Sequence, residues 1–324
     1  MSKPVAKFKI TISKCFTFVS GVVLIGLTTL SQAQPIHHHK HHRHHRGYHE
    51  VAFDPNHMVL FSTTALVVDP ETHQVLYSKN PDPVHSIASI TKLMTALVVL
   101  DQHQDMNEEL VTEESDKDMI RFSRSHLRVG AKTTRMNFLK MALIASENRA
   151  ANALGRNFPG GTPAFVRKMN EKAVVLGLKH THFSDPAGLS TGNVSTAEDL
   201  ALLVHVADQQ SIISDITTTN TVQIPVGYRG NLVQFKNTNP LVENKSWDIE
   251  VSKTGFINES GQCLVMQTEV AGRSVVMVLL DSHGRQSRVV DAIHMKRWLE
   301  THPTPVTSPA SSPAPRNSSR ITVS

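Results

Sequence analysis

Residues 87–100 read Ile-Ala-Ser-Ile-Thr-Lys-Leu-Met-Thr-Ala-Leu-Val-Val-Leu. The apolar stripe of Leu93, Met94, Ala96, Leu97 and Leu100 predicts a helix over Ser86 to Leu100. On such a helix Ser89 and Lys92, three positions apart, share one face. Serine is a poor nucleophile until a base takes its proton, and an amine serves as that base only when uncharged. Burial disfavours the ammonium, as does a nearby cation, and the positive end of the helix dipole adds to both. Lys92 is therefore expected to have a depressed pKa, with Lys253 as the neighbouring cation. An exposed Ser–Lys pair on a surface helix has the same spacing, so this stretch alone leaves the function open.

Two further stretches supply complementary chemistry in a fixed order. Ser146-Glu147-Asn148 follows Ser89 by 57 residues, and Lys253-Thr254-Gly255 follows Ser146 by 107. A second S-x-N, Ser78-Lys79-Asn80, precedes Ser89 at the end of a strand-like segment and so is out of order. In a loop between helices, Ser146 can relay a proton between Lys92 and a leaving amine. Asn148 offers an amide to fix a peptide group, although helix capping is an ordinary use of both residue types. Lys253 and Thr254 lie on a strand-like segment and can hold a carboxylate. Gly255, lacking a side chain, lets a substrate backbone approach that strand. An oxyanion needs two backbone N–H donors, for which Ser89 and Phe256 are the expected pair.

Outward from these motifs the periodicity alternates between two kinds. Residues 62–80 read as a hairpin, with Ala65 to Val68 and Val75 to Tyr77 strand-like and Asp69-Pro70-Glu71-Thr72 as the turn. Helices are predicted over Arg135 to Ile144, from Ser146-Glu147-Asn148 to Leu154, and over Pro163 to Leu176. Ser195-Thr196-Ala197-Glu198 reads as a capping box opening another helix through Val206. From Ile249 the period becomes two: Ile249 to Ile257, Gln262 to Val270 and Ser274 to Leu280 are expected to form an antiparallel meander, followed by a closing helix over Ser287 to Leu299. This is an α+β pattern: one antiparallel sheet built from both chain ends, flanked by helices, with an all-helical lobe inserted between.

At these residues the chain resembles the low-molecular-mass penicillin-binding proteins, and within them the D-alanyl-D-alanine endopeptidases. The S-x-x-K, S-x-N and K-T-G set is shared with serine β-lactamases. The resemblance runs over roughly residues 58–300 and includes Ile87 to Ala96, Ser146 to Ala151, Asn237-Thr238-Asn239, Lys253 to Phe256 and Cys263 to Met266. It implies a serine β-lactamase/transpeptidase-like fold, with Ser89, Lys92 and Ser146 catalytic and Asn148, Lys253, Thr254 and Gly255 binding substrate. The implied substrate is the peptidoglycan stem peptide: Ser89 would attack the D-alanyl carbonyl of a D-Ala–meso-diaminopimelate cross-link, and water would hydrolyse the acyl-enzyme. The resemblance implies no cofactor or catalytic metal, and β-lactams as covalent inhibitors of the same serine.

The termini read differently. Residues 1–33 carry a basic start (Lys3, Lys7, Lys9, Lys14), an apolar run from Cys15 to Leu30 and small residues at Ser31 and Ala33, the pattern of a secretory signal peptide. The rival is an uncleaved anchor, but that apolar run is shorter than the roughly 20 residues a spanning helix needs. Export implies a periplasmic protein, and after cleavage Cys263 is the one remaining thiol, expected to be buried and inert. Residues 34–57 form a polar linker expected to be disordered. In it His37, His38, His39, His41, His42, His44 and His45 could bind Zn²⁺, Cu²⁺ or Ni²⁺ weakly, attract anionic envelope polymers at low pH, or serve only as a solvated spacer. The interruptions at Lys40, Arg43 and Arg46 argue against a purification tag. Residues 301–324, rich in Pro, Ser and Thr, read as a disordered tail with no amphipathic face, so no stable membrane anchor is expected after signal cleavage.

The formal net charge of +5 resides in these termini. Residues 50–300 hold 24 basic and 28 acidic side chains, so nucleic-acid binding is not expected. Three rivals remain. A D,D-carboxypeptidase would release terminal D-alanine; many such enzymes add a β-rich domain and an anchor, for which the residues after Glu300 leave no room. A class A β-lactamase would carry an E-x-x-L-N segment, which is absent from the sequence. A non-catalytic envelope protein would not need Ser89, Lys92 and Lys253 together.

Overall fold

The computed structural model describes residues 58–227 and 230–302. The readings of residues 1–33, 34–57 (with its histidines) and nearly all of 301–324 lie outside them. Among the described residues no helix is long and apolar enough to cross a membrane.

Both chain ends build one antiparallel sheet. Its strands are β1 (Ser62–Val68), β2 (Val75–Lys79), β3 (Asp248–Ile257), β4 (Gly261–Val270) and β5 (Arg273–Ser282). They lie in the order β2-β1-β5-β4-β3, so β3 is an outer edge. The alternation along β4 sends Cys263 and Val265 to one face and Leu264 and Met266 to the other. Both faces are covered, so the sheet is apolar throughout its middle. On the Leu264 face lies the closing helix, Ser287–Thr301, through Val289, Ala292, Met295 and Leu299. Its Asp291, fully buried, accepts hydrogen bonds from the Phe61 and Ser62 amides and the Ser62 hydroxyl, fastening the helix to the start of β1.

The Cys263 face carries the inserted lobe. Its helices are α1 (Thr91–Asp101), α2 (Arg135–Ile144), α3 (Asn148–Arg156), α4 (Gly161–Leu176), α5 (Ala197–Asp208) and α6 (Ser211–Thr217); the closing helix is α7. The helix expected from Ser86 begins later. His85–Ser86 pairs with Val194–Ser195, Ala88 has φ 46°, and Ala88–Ile90 is a single 3-10 turn ahead of α1. A left-handed residue cannot continue an α-helix, which is why the apolar stripe overran the true start.

The lobe is not all-helical. Among the described residues it contains three two-stranded ribbons, the longest pairing Thr221–Val226 with Asn231–Lys236. These strands are short and mostly outward-facing, and Pro225 interrupts one of them, so their alternation is weak in the sequence. The cap of α5 also moves by one position: Thr196, not Ser195, accepts from the Asp199 amide, because Ser195 is held in the ribbon with His85.

Candidate active site

Ser89 sits in the 3-10 turn, held against the rest of the chain by buried Ile87 and Ile90. The Ile87 amide donates to the Asn193 carbonyl at 3.0 Å, and the Thr91 hydroxyl closes the turn onto the Ala88 carbonyl at 2.7 Å. One turn on, Lys92 is fully buried. Its Nζ lies 2.7 Å from Ser89 Oγ, 2.7 Å from Asn148 Oδ1 and 2.6 Å from the Ala187 carbonyl. The last two can only accept. A neutral amine spends its two N–H bonds on them and turns its lone pair to the Ser89 hydroxyl. Burial is the first cause of a Lys92 pKa lowered to about 7, against the opposing pull of the Asp185, Glu147 and Asp118 carboxylates. The expected cation does not set this value. Instead Lys253 is itself held well below its ordinary range, by burial first and then by the Lys92 and Arg288 charges.

Ser146 follows the end of α2 with φ 57°, a strained conformation for a side-chain-bearing residue. Glu147 caps α3 by accepting from the Arg149 amide, so Asn148 opens that helix rather than lying in a loop. Asn148 is thereby locked, its oxygen on Lys92 and its Nδ2 donating to Ser123 Oγ at 2.9 Å. The Ser146 hydroxyl accepts from Lys253 Nζ at 3.0 Å, which ties the second motif to the third across 107 residues.

The third motif lies on the edge strand β3. Lys253 is buried, with Nζ also donating to the Thr254 carbonyl at 2.9 Å, and it does not line the groove. Thr254 does, its hydroxyl donating to Thr238 Oγ1 at 2.7 Å. Gly255 serves packing: a Cβ there would sit 2.8 Å from the Ile87 carbonyl oxygen and 3.3 Å from Ala88 Cβ. The space left by its missing side chain is taken up by the turn that carries Ser89, while Gly255 still borders the cavity beside that turn. Gly188, at φ 79°, also approaches this turn, so closely that a Cβ would fall 1.9 Å from the Ala88 carbonyl oxygen.

Two cavities open around Ser89, both lined by Ser89, Asn148 and Phe256. One, of about 240 Å³, adds Ser146, Thr238, Thr254, Gly255 and Arg288. The other, of about 260 Å³, adds Arg121, Ser123, Gly188, Leu189, Ile257 and Asn258. Ser89 and Phe256, the expected oxyanion pair, border both.

Several of these residues carry no motif. Arg288, on α7, donates to the Gly255 carbonyl at 2.8 Å, and its Nε is buried without a hydrogen-bond partner among the described residues. Nothing in the spacing of α7 marks it. The Asp185 carboxylate gathers the amides of Ala187, Gly188, Leu189 and Ser190, which shapes the loop that presents the Ala187 carbonyl to Lys92. The signal there was the turn chemistry of Asp185-Pro186-Ala187-Gly188.

The profile of a family described as D-alanyl-D-alanine carboxypeptidase matches residues 52–284, a span that contains all three motifs. The chain belongs to the D-alanyl-D-alanine carboxypeptidase family. Among relatives, it is 46% identical over 247 residues to a D-alanyl-D-alanine endopeptidase of Pseudomonas aeruginosa, covering 76% of this chain and 80% of that one. It is 40% identical over 240 residues to a D-alanyl-D-alanine endopeptidase of Escherichia coli, covering 74% and 77%. The crystal structure of a Streptomyces DD-transpeptidase superposes with a TM-score of 0.69 at 28% identity, covering 74% of this chain and 97% of that chain. The likeness bears out the α+β transpeptidase-like architecture for this carboxypeptidase-family chain.

Proposed function

We propose that this protein is a serine D-alanyl-D-alanine endopeptidase that hydrolyses D-Ala–meso-diaminopimelate cross-links in peptidoglycan. The observation that carries the reading is a fully buried Lys92 amine 2.7 Å from the Ser89 hydroxyl, with its other two neighbours able only to accept. The printed names of the two endopeptidase relatives support the choice of bond.

A peptide added antiparallel to β3 runs from Asn258 toward Thr254. Its acyl side then occupies the cavity beside Ile257 and Asn258, and its leaving side the cavity beside Thr254, Thr238 and Arg288. Lys92 takes the Ser89 proton as Oγ attacks the D-alanyl carbonyl. The oxyanion is held by the amides of Ser89 and Phe256. As the C–N bond breaks, the proton passes to the leaving amine, with Ser146 as the relay. Arg288, Thr254 and Thr238 receive the carboxylate next to that amine. Water, activated by Lys92, then cleaves the ester. Lys253 orients Ser146 through the bond from its Nζ to the Ser146 hydroxyl rather than touching substrate.

A D,D-carboxypeptidase shares these steps, because terminal D-alanine also leaves as an amine beside a carboxylate. Digestion of a cross-linked muropeptide dimer, read by mass spectrometry, separates the two. Monomers with intact termini are expected; loss of alanine alone would overturn the endopeptidase reading. Ser89→Ala is expected to abolish both this cleavage and covalent labelling by penicillin. Residues 1–33 serve in this reading as the export signal to the periplasm. Residues 58–300 form the catalytic domain between a His-rich linker and a Pro/Ser/Thr-rich tail.

A further inference from the structure

Arg121 stands at the acyl-side cavity, and its local structure fixes it there. The Asp118 carboxylate accepts from the amides of Ile120, Arg121 and Ser123, so the loop is folded around that side chain. Arg121 Nε donates to the Leu189 carbonyl at 2.7 Å, in the loop that also contacts the nucleophile turn. Its Nη2 reaches Glu259 at 2.8 Å, in the turn that follows β3. The guanidinium thus spans the end of the cavity, from the 118–123 loop to the edge strand.

The two partners differ in how firmly they hold. The Leu189 carbonyl is part of a loop pinned by Asp185. Glu259 is half-exposed on a turn, and such a pair contributes little because water screens it. Glu259 is therefore a replaceable carboxylate on a fixed guanidinium. Leu189, Phe256 and Ile257 border the same cavity, so an anion seated there has apolar walls beside it. A guanidinium fork matches a carboxylate in two parallel hydrogen bonds.

We infer that Arg121 is a specificity residue that exchanges Glu259 for a carboxylate on the substrate residue preceding the scissile D-alanine. The inference rests on the function proposed above, because it takes that cavity as the acyl side. It makes the enzyme selective for stems bearing a free carboxylate at that residue over those in which it is amidated.

The test uses two synthetic peptides that differ only by carboxylate or carboxamide on that residue, with kcat/KM measured for each. In the wild-type enzyme the carboxylate peptide is expected to be favoured. Arg121→Gln is expected to lower the carboxylate-to-carboxamide ratio by about tenfold, the size of a charge-assisted hydrogen bond. Arg121→Lys should keep part of the ratio, and Glu259→Gln should raise it by removing the competitor. Thermal melting of each variant checks folding, and a ratio is insensitive to the fraction of active enzyme. Equal losses on both peptides would mean that Arg121 only braces the Leu189 loop, and an unchanged ratio would likewise overturn the inference. Failure of the wild-type enzyme to be acylated by penicillin or to cleave either peptide would instead refute the underlying function.

Discussion

If Lys92 must be neutral to arm Ser89, acylation has a pH profile that the structure sets in advance. The Lys92 pKa lies at about 7. Its neutral fraction is then about one hundredth at pH 5, one tenth at pH 6, one half at pH 7 and nearly complete at pH 9. The second-order rate of acylation by benzylpenicillin, followed by stopped flow, should rise about ninefold from pH 5 to 6 and about fivefold from 6 to 7, then flatten. Asp185 is the strongest of the charges that favour the ammonium, so Asp185→Asn should move the inflection to lower pH. Stability carries the opposite face of the same shift. Between the folded value near 7 and the unfolded value of 10.5 the unfolded chain binds the extra proton. Stability from this group therefore rises with pH across that window, by up to about 1.4 kcal/mol per unit, and wild type should gain on Lys92→Met as pH rises. A flat acylation rate from pH 5 to 9, or an inflection near that of a free ammonium, would refute the role assigned to Lys92.

Further outcomes follow from single contacts. Gly255→Ala drives a methyl onto the Ile87 carbonyl and should cost about 1–3 kcal/mol in a chemical-denaturation curve while slowing penicillin acylation more than tenfold through the displaced turn. Asp291→Ala strands the buried Ser62 amide and hydroxyl and should destabilise the fold by about 3 kcal/mol, measured by the same curve. Cys263, fully buried with its thiol pKa raised to about 11 by burial, should react with a thiol reagent only after unfolding; labelling of the native protein at pH 8 would contradict its placement.

Much of the framework was legible along the chain because its signals are local. The meander strands over residues 248–282 announce themselves by strand-like apolar runs and by short turns, and α2 matches its predicted bounds at Arg135 and Ile144. The segments that were missed are those whose conformation is imposed from elsewhere. The head of the Ser89 helix is bent by pairing of His85–Ser86 with a ribbon over 100 residues away, and the outer hairpin at 221–236 has too little buried face to write a pattern.

For the site the division falls along the same physical line. Sequence alone singled out the candidate side chains, since a hydroxyl, an amine three positions on, a Ser-x-Asn and a Lys-Thr-Gly stand out by residue type and order. It could not say what surrounds each of them, because burial and hydrogen-bond partners depend on residues distant in the chain. Only the folded chain seals Lys92 under the Ala187 carbonyl, turns Lys253 to Ser146 instead of to the groove, and brings Arg288 and Arg121 to its two ends. A protonation state is a property of an enclosure, and the enclosure exists only when the sheet edge and the helical lobe close on each other.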